Sequence, residues 1–110
     1  MADPTPVEAQ LEAYNKRDVE RFLACYSADV VVQDGAGTTL MQGREAMRAE
    51  YEAFFAGYPD LRGEIVQRIN AGDYVIDEER IHGWQRDPVH AVAIYHISDG
   101  LIDQVRLIDG

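Results

Sequence analysis

The chain has 110 residues, 46% of them hydrophobic and 27% charged, the proportions of a single folded globular domain spanning 1–110. Ten basic against twenty acidic side chains leave a formal net charge of −10, so the mean field repels phosphate backbones and anionic membrane surfaces, and nucleic acid is excluded as a partner. No apolar run is long enough to span a bilayer and no charged leader with an apolar core opens the chain, which predicts a cytoplasmic protein with no membrane partner.

Thr5-Pro6-Val7-Glu8 reads as a capping box, with Thr5 as N-cap, Pro6 at the first helical position and Glu8 reaching back. A first helix is predicted from there to near Asn15-Lys16-Arg17, with Val7, Leu11 and Tyr14 as its apolar stripe and Gln10 at the border. Asp18 is predicted to cap a second short helix in which Val19, Phe22, Leu23 and Tyr26 repeat at helical spacing. Cys25 is the only cysteine and lies in that stripe, so no internal disulfide can form and it reads as a small buried hydrophobe.

The β-branched run Val30-Val31-Val32-Gln33-Asp34 predicts a strand with Val30, Val32 and Asp34 on one face. Gly35-Ala36-Gly37 is a hairpin signal leading into Thr38 to Met41. A third helix is predicted from Gly43-Arg44-Glu45, carrying Met47, Tyr51, Phe54, Phe55 and Tyr58 as a wide aromatic stripe until Gly57 and Pro59 stop it. From residue 61 the pattern becomes an antiparallel meander of four runs, about 61–70, 73–84, 88–98 and 101–109, separated by turn chemistry. Val89 to Tyr95 is apolar on both faces, which predicts a central strand covered by helices on one side and by a second subunit on the other, hence a homodimer through the outer face of the sheet.

The succession of a helix, Asn15-Lys16-Arg17-Asp18, a helix ending in Phe22-Leu23-Ala24-Cys25-Tyr26, Ala28-Asp29, a Val-rich strand, a Gly-Arg-Glu helix and a four-strand meander resembles the nuclear transport factor 2-like superfamily. The likeness covers nearly the whole chain and is closest to the SnoaL-like and ketosteroid-isomerase-like branches. It implies an α+β, cone-shaped fold in which three N-terminal helices pack on the concave face of a curved, mostly antiparallel sheet and enclose a pocket. It leaves the reaction open, because the superfamily hosts isomerases, cyclases, dehydratases, hydrolases and non-catalytic binding domains.

The same resemblance puts Asp34 where ketosteroid isomerases carry their general-base aspartate. A carboxylate on an apolar wall holds its proton more tightly through desolvation, which suits proton abstraction beside a carbonyl. Before Gly35, Asp34 suits a turn equally well. The positions of the isomerases' two oxyanion donors hold Gln10 and Ala93; losing one such donor costs about 10²–10³ in rate, so steroid isomerisation itself is not expected. Tyr51 falls at the family's supporting tyrosine, and Tyr14, Tyr26, Met47, Phe55 and Tyr95 complete the expected pocket wall.

In Asp77-Glu78-Glu79-Arg80-Ile81-His82 the family register turns Ile76, Glu78, Arg80, His82 and Trp84 inward, a polar wall able to hold an anionic or hydroxylated ligand through Arg80. The alternative is an exposed strip of paired charges. His90 and His96 share strand parity with Val92 and Ile94 and are expected on the outer face. His82, His90 and His96 lack metal-site spacing, and no phosphate loop or nucleophile elbow is present, so neither metal nor cofactor is expected. The sequence thus reads as a small-molecule pocket protein. One form is a cofactor-independent isomerase or cyclase-like enzyme using Asp34 on a hydrophobic carbonyl compound. The other is a non-catalytic binding domain for a small hydrophobic or weakly acidic ligand.

Overall fold

The computed structural model describes residues 5–109. Helix α1 (Thr5–Asn15) meets α2 (Val19–Leu23) at a corner where Arg17 adopts φ 53°, and Asp18 Oδ1 accepts the Arg21 N–H at 3.2 Å as the predicted cap. α2 is shorter than its stripe suggests, because Tyr26 leaves the helix and opens strand β1 (Tyr26–Asp34). The competing pull is parallel pairing with β6 (Leu101–Asp109): Ile102 N–H donates to the Cys25 carbonyl at 2.9 Å, and Tyr26 stands beside Ile102.

A hairpin leads to β2 (Thr39–Gln42), followed by α3 (Arg44–Gly57) and the meander β3 (Arg62–Ala71), β4 (Tyr74–His82), β5 (Val89–Ser98) and β6. The six strands form one curved sheet in the order β2-β1-β6-β5-β4-β3, antiparallel except for β1 beside β6. The helices cover its concave face, giving the α+β architecture that the sequence pattern implies. β5 is central, as its two-faced apolar pattern predicts.

Two polar clamps hold the end of α1 and the corner after it against the start of β3 and the residue before it. Asn15 accepts the Gly63 N–H at 2.7 Å and donates to the Gly63 carbonyl at 3.1 Å, while the Arg17 guanidinium donates to the Leu61 carbonyl at 2.9 Å. The apolar anchor is Phe22, whose ring lies 4.6–6.1 Å from those of Tyr14, Tyr26, Tyr51 and Phe55. Truncating so central a ring costs on the order of 3–5 kcal/mol.

Strand register arranges the concave face in rows. One row runs Asp109, Ala91, Glu79; the next runs Asp34, Leu107, Ala93, Asp77, Arg68; a third runs Val32, Val105, Tyr95, Val75. The expected parity of β4 is therefore reversed: Val75, Asp77, Glu79 and Ile81 point inward, whereas Ile76, Glu78, Arg80 and His82 lie on the outer face. The reason is the β4–β5 register, which sets Asp77 beside Ala93 and Glu79 beside Ala91; a bulge in β3 between Ile65 and Gln67 then brings Arg68 opposite Asp77, where the two form an ion pair. The outer acids find other partners, Glu78 with His90 at 2.7 Å and Glu64 with His82 at 2.9 Å. Parity is reset beyond β4 by Gly83 at φ 80°, where a Cβ would come within 2.2 Å of the Asp60 carbonyl oxygen, and Trp84 does reach the concave side.

Candidate functional site

Between α1, α3 and the concave face lies a cavity of about 740 Å³. The central strand contributes only a methyl group to it at Ala91, where β4 and β6 offer the larger Glu79 and Asp109 on either side. Of the residues expected at the site, Gln10, Tyr14, Tyr26, Asp34, Met47, Tyr51, Trp84 and Tyr95 line it. Phe55 does not: it is 6% exposed and packs edge-on against Tyr14 at 5.4 Å, behind the wall. Ala93 is fully buried without reaching the space, and Glu78, Arg80 and His82 are on the other side of the sheet. Glu79 takes their place, joined by Ile81, Ala91, Glu50 and Asp109. The alternation of Val75, Asp77, Glu79 and Ile81, with apolar residues at both ends, was the available signal for that inner face.

Glu79 is the most perturbed acid of the site. Burial, and then the negative charge of Asp77, push its carboxyl up to about 7, with Arg68 pulling weakly in the other direction. It makes no hydrogen bond or ion pair with any described residue. Asp34 is arranged differently: its Oδ1 accepts the backbone N–H groups of Ala36 and Thr38, both at 2.9 Å, so one oxygen holds the hairpin turn while the residue stands at the cavity edge.

At the closed end the Gln10 amide is oriented by its neighbours. Nε2 donates to the Val7 carbonyl at 3.0 Å and to the Tyr95 hydroxyl at 3.3 Å, and Oε1 accepts from the Tyr26 hydroxyl at 3.0 Å. The Val7 carbonyl can only accept, which fixes the amide's orientation. Burial pushes Tyr51 up to about 12 and raises Tyr14, Tyr26 and Tyr95 well above the usual phenol range, with Glu79 adding to each. All four phenols therefore remain protonated donors at neutral pH.

Among the described lining residues the ionisable groups besides tyrosine are Asp34, Glu50, Glu79 and Asp109, with no lysine, arginine or histidine. In place of the expected polar wall with Arg80, the inner face of β4 offers an acid, Glu79. No group of three or more His, Cys, Asp or Glu side chains among the described residues is placed to hold a metal. No described helix is long and apolar enough to cross a membrane.

The family model for the SnoaL-like domain matches residues 7–105. The chain belongs to the SnoaL-like domain family. No curated protein matches it. Among solved structures, a SnoaL-like chain of this shape is similar to an uncharacterized cystatin-fold protein of Novosphingobium aromaticivorans, with 24% identity, TM-score 0.90 and 98% of each chain covered. A protein of Sinorhizobium meliloti named as a candidate polyketide cyclase shares 22% identity and TM-score 0.82, over 96% of this chain and 94% of that one. A hypothetical protein of Catenulispora acidiphila with a ketosteroid isomerase-like fold, solved in complex with trimethylamine, shares 21% identity and TM-score 0.78 over 96% and 85%. These likenesses establish the fold of the SnoaL-like domain; its own side chains must supply the chemistry.

Proposed function

We propose that this SnoaL-like domain binds an apolar small molecule in the cavity and exchanges a proton with it through Glu79, without a cofactor. The observation that carries the reading is an unpaired carboxyl, titrating near neutrality, on the wall of a largely apolar space. Acid–base catalysis is most effective when the group's pKa lies near the working pH. Glu79 fits this role better than Asp34, one of whose oxygens is committed to two backbone amides. Tyr14 and Tyr51, protonated and facing the same space, are the donors best placed to orient the ligand. The Catenulispora relative in complex with trimethylamine supports the small-molecule reading.

A library of apolar compounds, screened by thermal stabilisation and followed by mass spectrometry for turnover, tests this. Glu79→Gln is expected to fold and to lower turnover about 10²–10⁴-fold, and Asp34→Asn to stay within about tenfold. Turnover lost in Asp34→Asn and kept in Glu79→Gln would move the proton role to Asp34. Stabilising ligands that are never converted would make the protein a binding domain.

We also infer a homodimer through the outer face, where Ile69, Tyr74 and Ile108 remain exposed beside Ile76, Val92 and Ile94. Light scattering of the wild type against Tyr74→Glu tests it, with a monomer expected for the variant.

A further inference from the structure

We propose that the molecule taken into the cavity carries a positive charge: an apolar amine, protonated or quaternary. The inference rests on reading the cavity as the ligand site and specifies the class of ligand.

Charge within the cavity is one-sided. Asp34, Glu50, Glu79 and Asp109 open onto it, and no basic side chain does so among the described residues. Asp109 and Glu79 flank Ala91 in one row, two strand spacings or roughly 10 Å apart, so a ligand lying on the Ala91 methyl meets an acid at either end. The protein's own nearby cations are already committed. Arg68 holds Asp77 through hydrogen bonds of 2.6 and 2.9 Å, and Arg48 of α3 is shared among Glu20, Glu45 and Glu52. Glu79 is half-buried and has no counter-ion among the described residues, and a ligand cation would supply the charge that the fold omits.

The walls point the same way. Trp84 stands nearly perpendicular to Phe54, at 83° with centroids 5.4 Å apart, and Phe54 stands at 84° to Tyr51 at 6.4 Å. All three rings line the cavity, and an alkylammonium group that reaches the face of one of them gains a factor of about 2 to 30 in affinity. An anion would be repelled by all four acids, and a neutral ligand would leave Glu79 with no counter-charge. The formal charge of −10 on the whole chain steers cations toward the protein as well.

Calorimetric titration of the full chain with three shape-matched probes tests the assignment: phenethyltrimethylammonium, its neutral tert-butyl isostere and the corresponding carboxylate. The cation is expected to bind at least about tenfold more tightly than the neutral probe, and the carboxylate most weakly. Glu79→Gln and Trp84→Leu should each weaken the cation by a severalfold larger factor than the neutral probe, with circular dichroism confirming that both variants fold. Equal binding of cation and neutral probe, or preference for the carboxylate, would overturn the charge assignment while leaving the cavity a ligand site. Absence of binding by all three, together with no stabilising compound in the library screen, would overturn both.

Discussion

Asp77 and Glu79 stand two residues apart on the same face of β4, and Arg68 pairs with only the first of them, at 2.6 and 2.9 Å. Asp77 is fully buried and paired, whereas Glu79, next on that face of the strand, feels both its own desolvation and the negative charge of Asp77. One arginine thus divides two similar acids into a paired member and an unpaired one.

The first consequence is a pH-dependent stability. Glu79 holds its proton near pH 7 when folded against a model value of 4.5, so the folded state is the better proton binder between these values. Its contribution is fully present below about pH 4.5, declines as pH rises through about 7 and is level above; the shift corresponds to about 3 kcal/mol. Urea unfolding of wild type and Glu79→Gln should therefore agree near about pH 4.5 and separate above neutrality, with the variant the more stable by up to about 3 kcal/mol. A gap independent of pH would show that Glu79 does not titrate in this range.

Removing Arg68 leaves Asp77 buried without its counter-ion. Arg68→Met is expected to cost about 3–5 kcal/mol in chemical denaturation, and Arg68→Met with Asp77→Leu to recover most of it. In the single variant the Glu79 titration, followed by NMR of its carboxyl, should move upward, because Arg68 is the group that lowers it.

Gln10 is 4% exposed and joins the hydroxyls of Tyr26 and Tyr95. Gln10→Leu strands both inside the core and is expected to cost about 2–4 kcal/mol, more than Tyr26→Phe, which strands only the amide oxygen. Equal stability of Gln10→Leu and wild type in urea would mean that water or a shift of the rings satisfies the two phenols.

Ala91 is small where the cavity needs room. Ala91→Leu should fill the space between Glu79 and Asp109 with a stability change within about 1.5 kcal/mol, while abolishing thermal stabilisation by every ligand that protects the wild type. Undiminished ligand protection in this variant would place the binding site elsewhere.

Elements governed by neighbours in the chain were legible in the sequence. Asp18 caps its helix, Gly35-Ala36-Gly37 turns its hairpin, and the stripe through Met47 and Tyr51 faces the cavity, because capping, turn geometry and helical periodicity are local. Tyr26 escaped that reading because its helical spacing lost to a parallel ladder with Ile102, a partner 76 positions away in the chain. Phe55 shares the α3 stripe with Tyr51, and only packing against Tyr14 decides that it lies behind the wall.

The sequence by itself determined the layers, the strand order of the meander and the presence of a tyrosine-rich pocket. Which acid enters that pocket was decided only by tertiary structure. Alternation along β4 offers two faces, and the choice between Glu78 and Glu79 rests on the register with β5, which sets Glu79 beside Ala91, while a bulge in β3 brings Arg68 across to Asp77. Desolvation and charge pairing act through space, between residues that only the folded chain brings together, and they turn an ordinary glutamate in an acidic run into the carboxyl poised near neutrality.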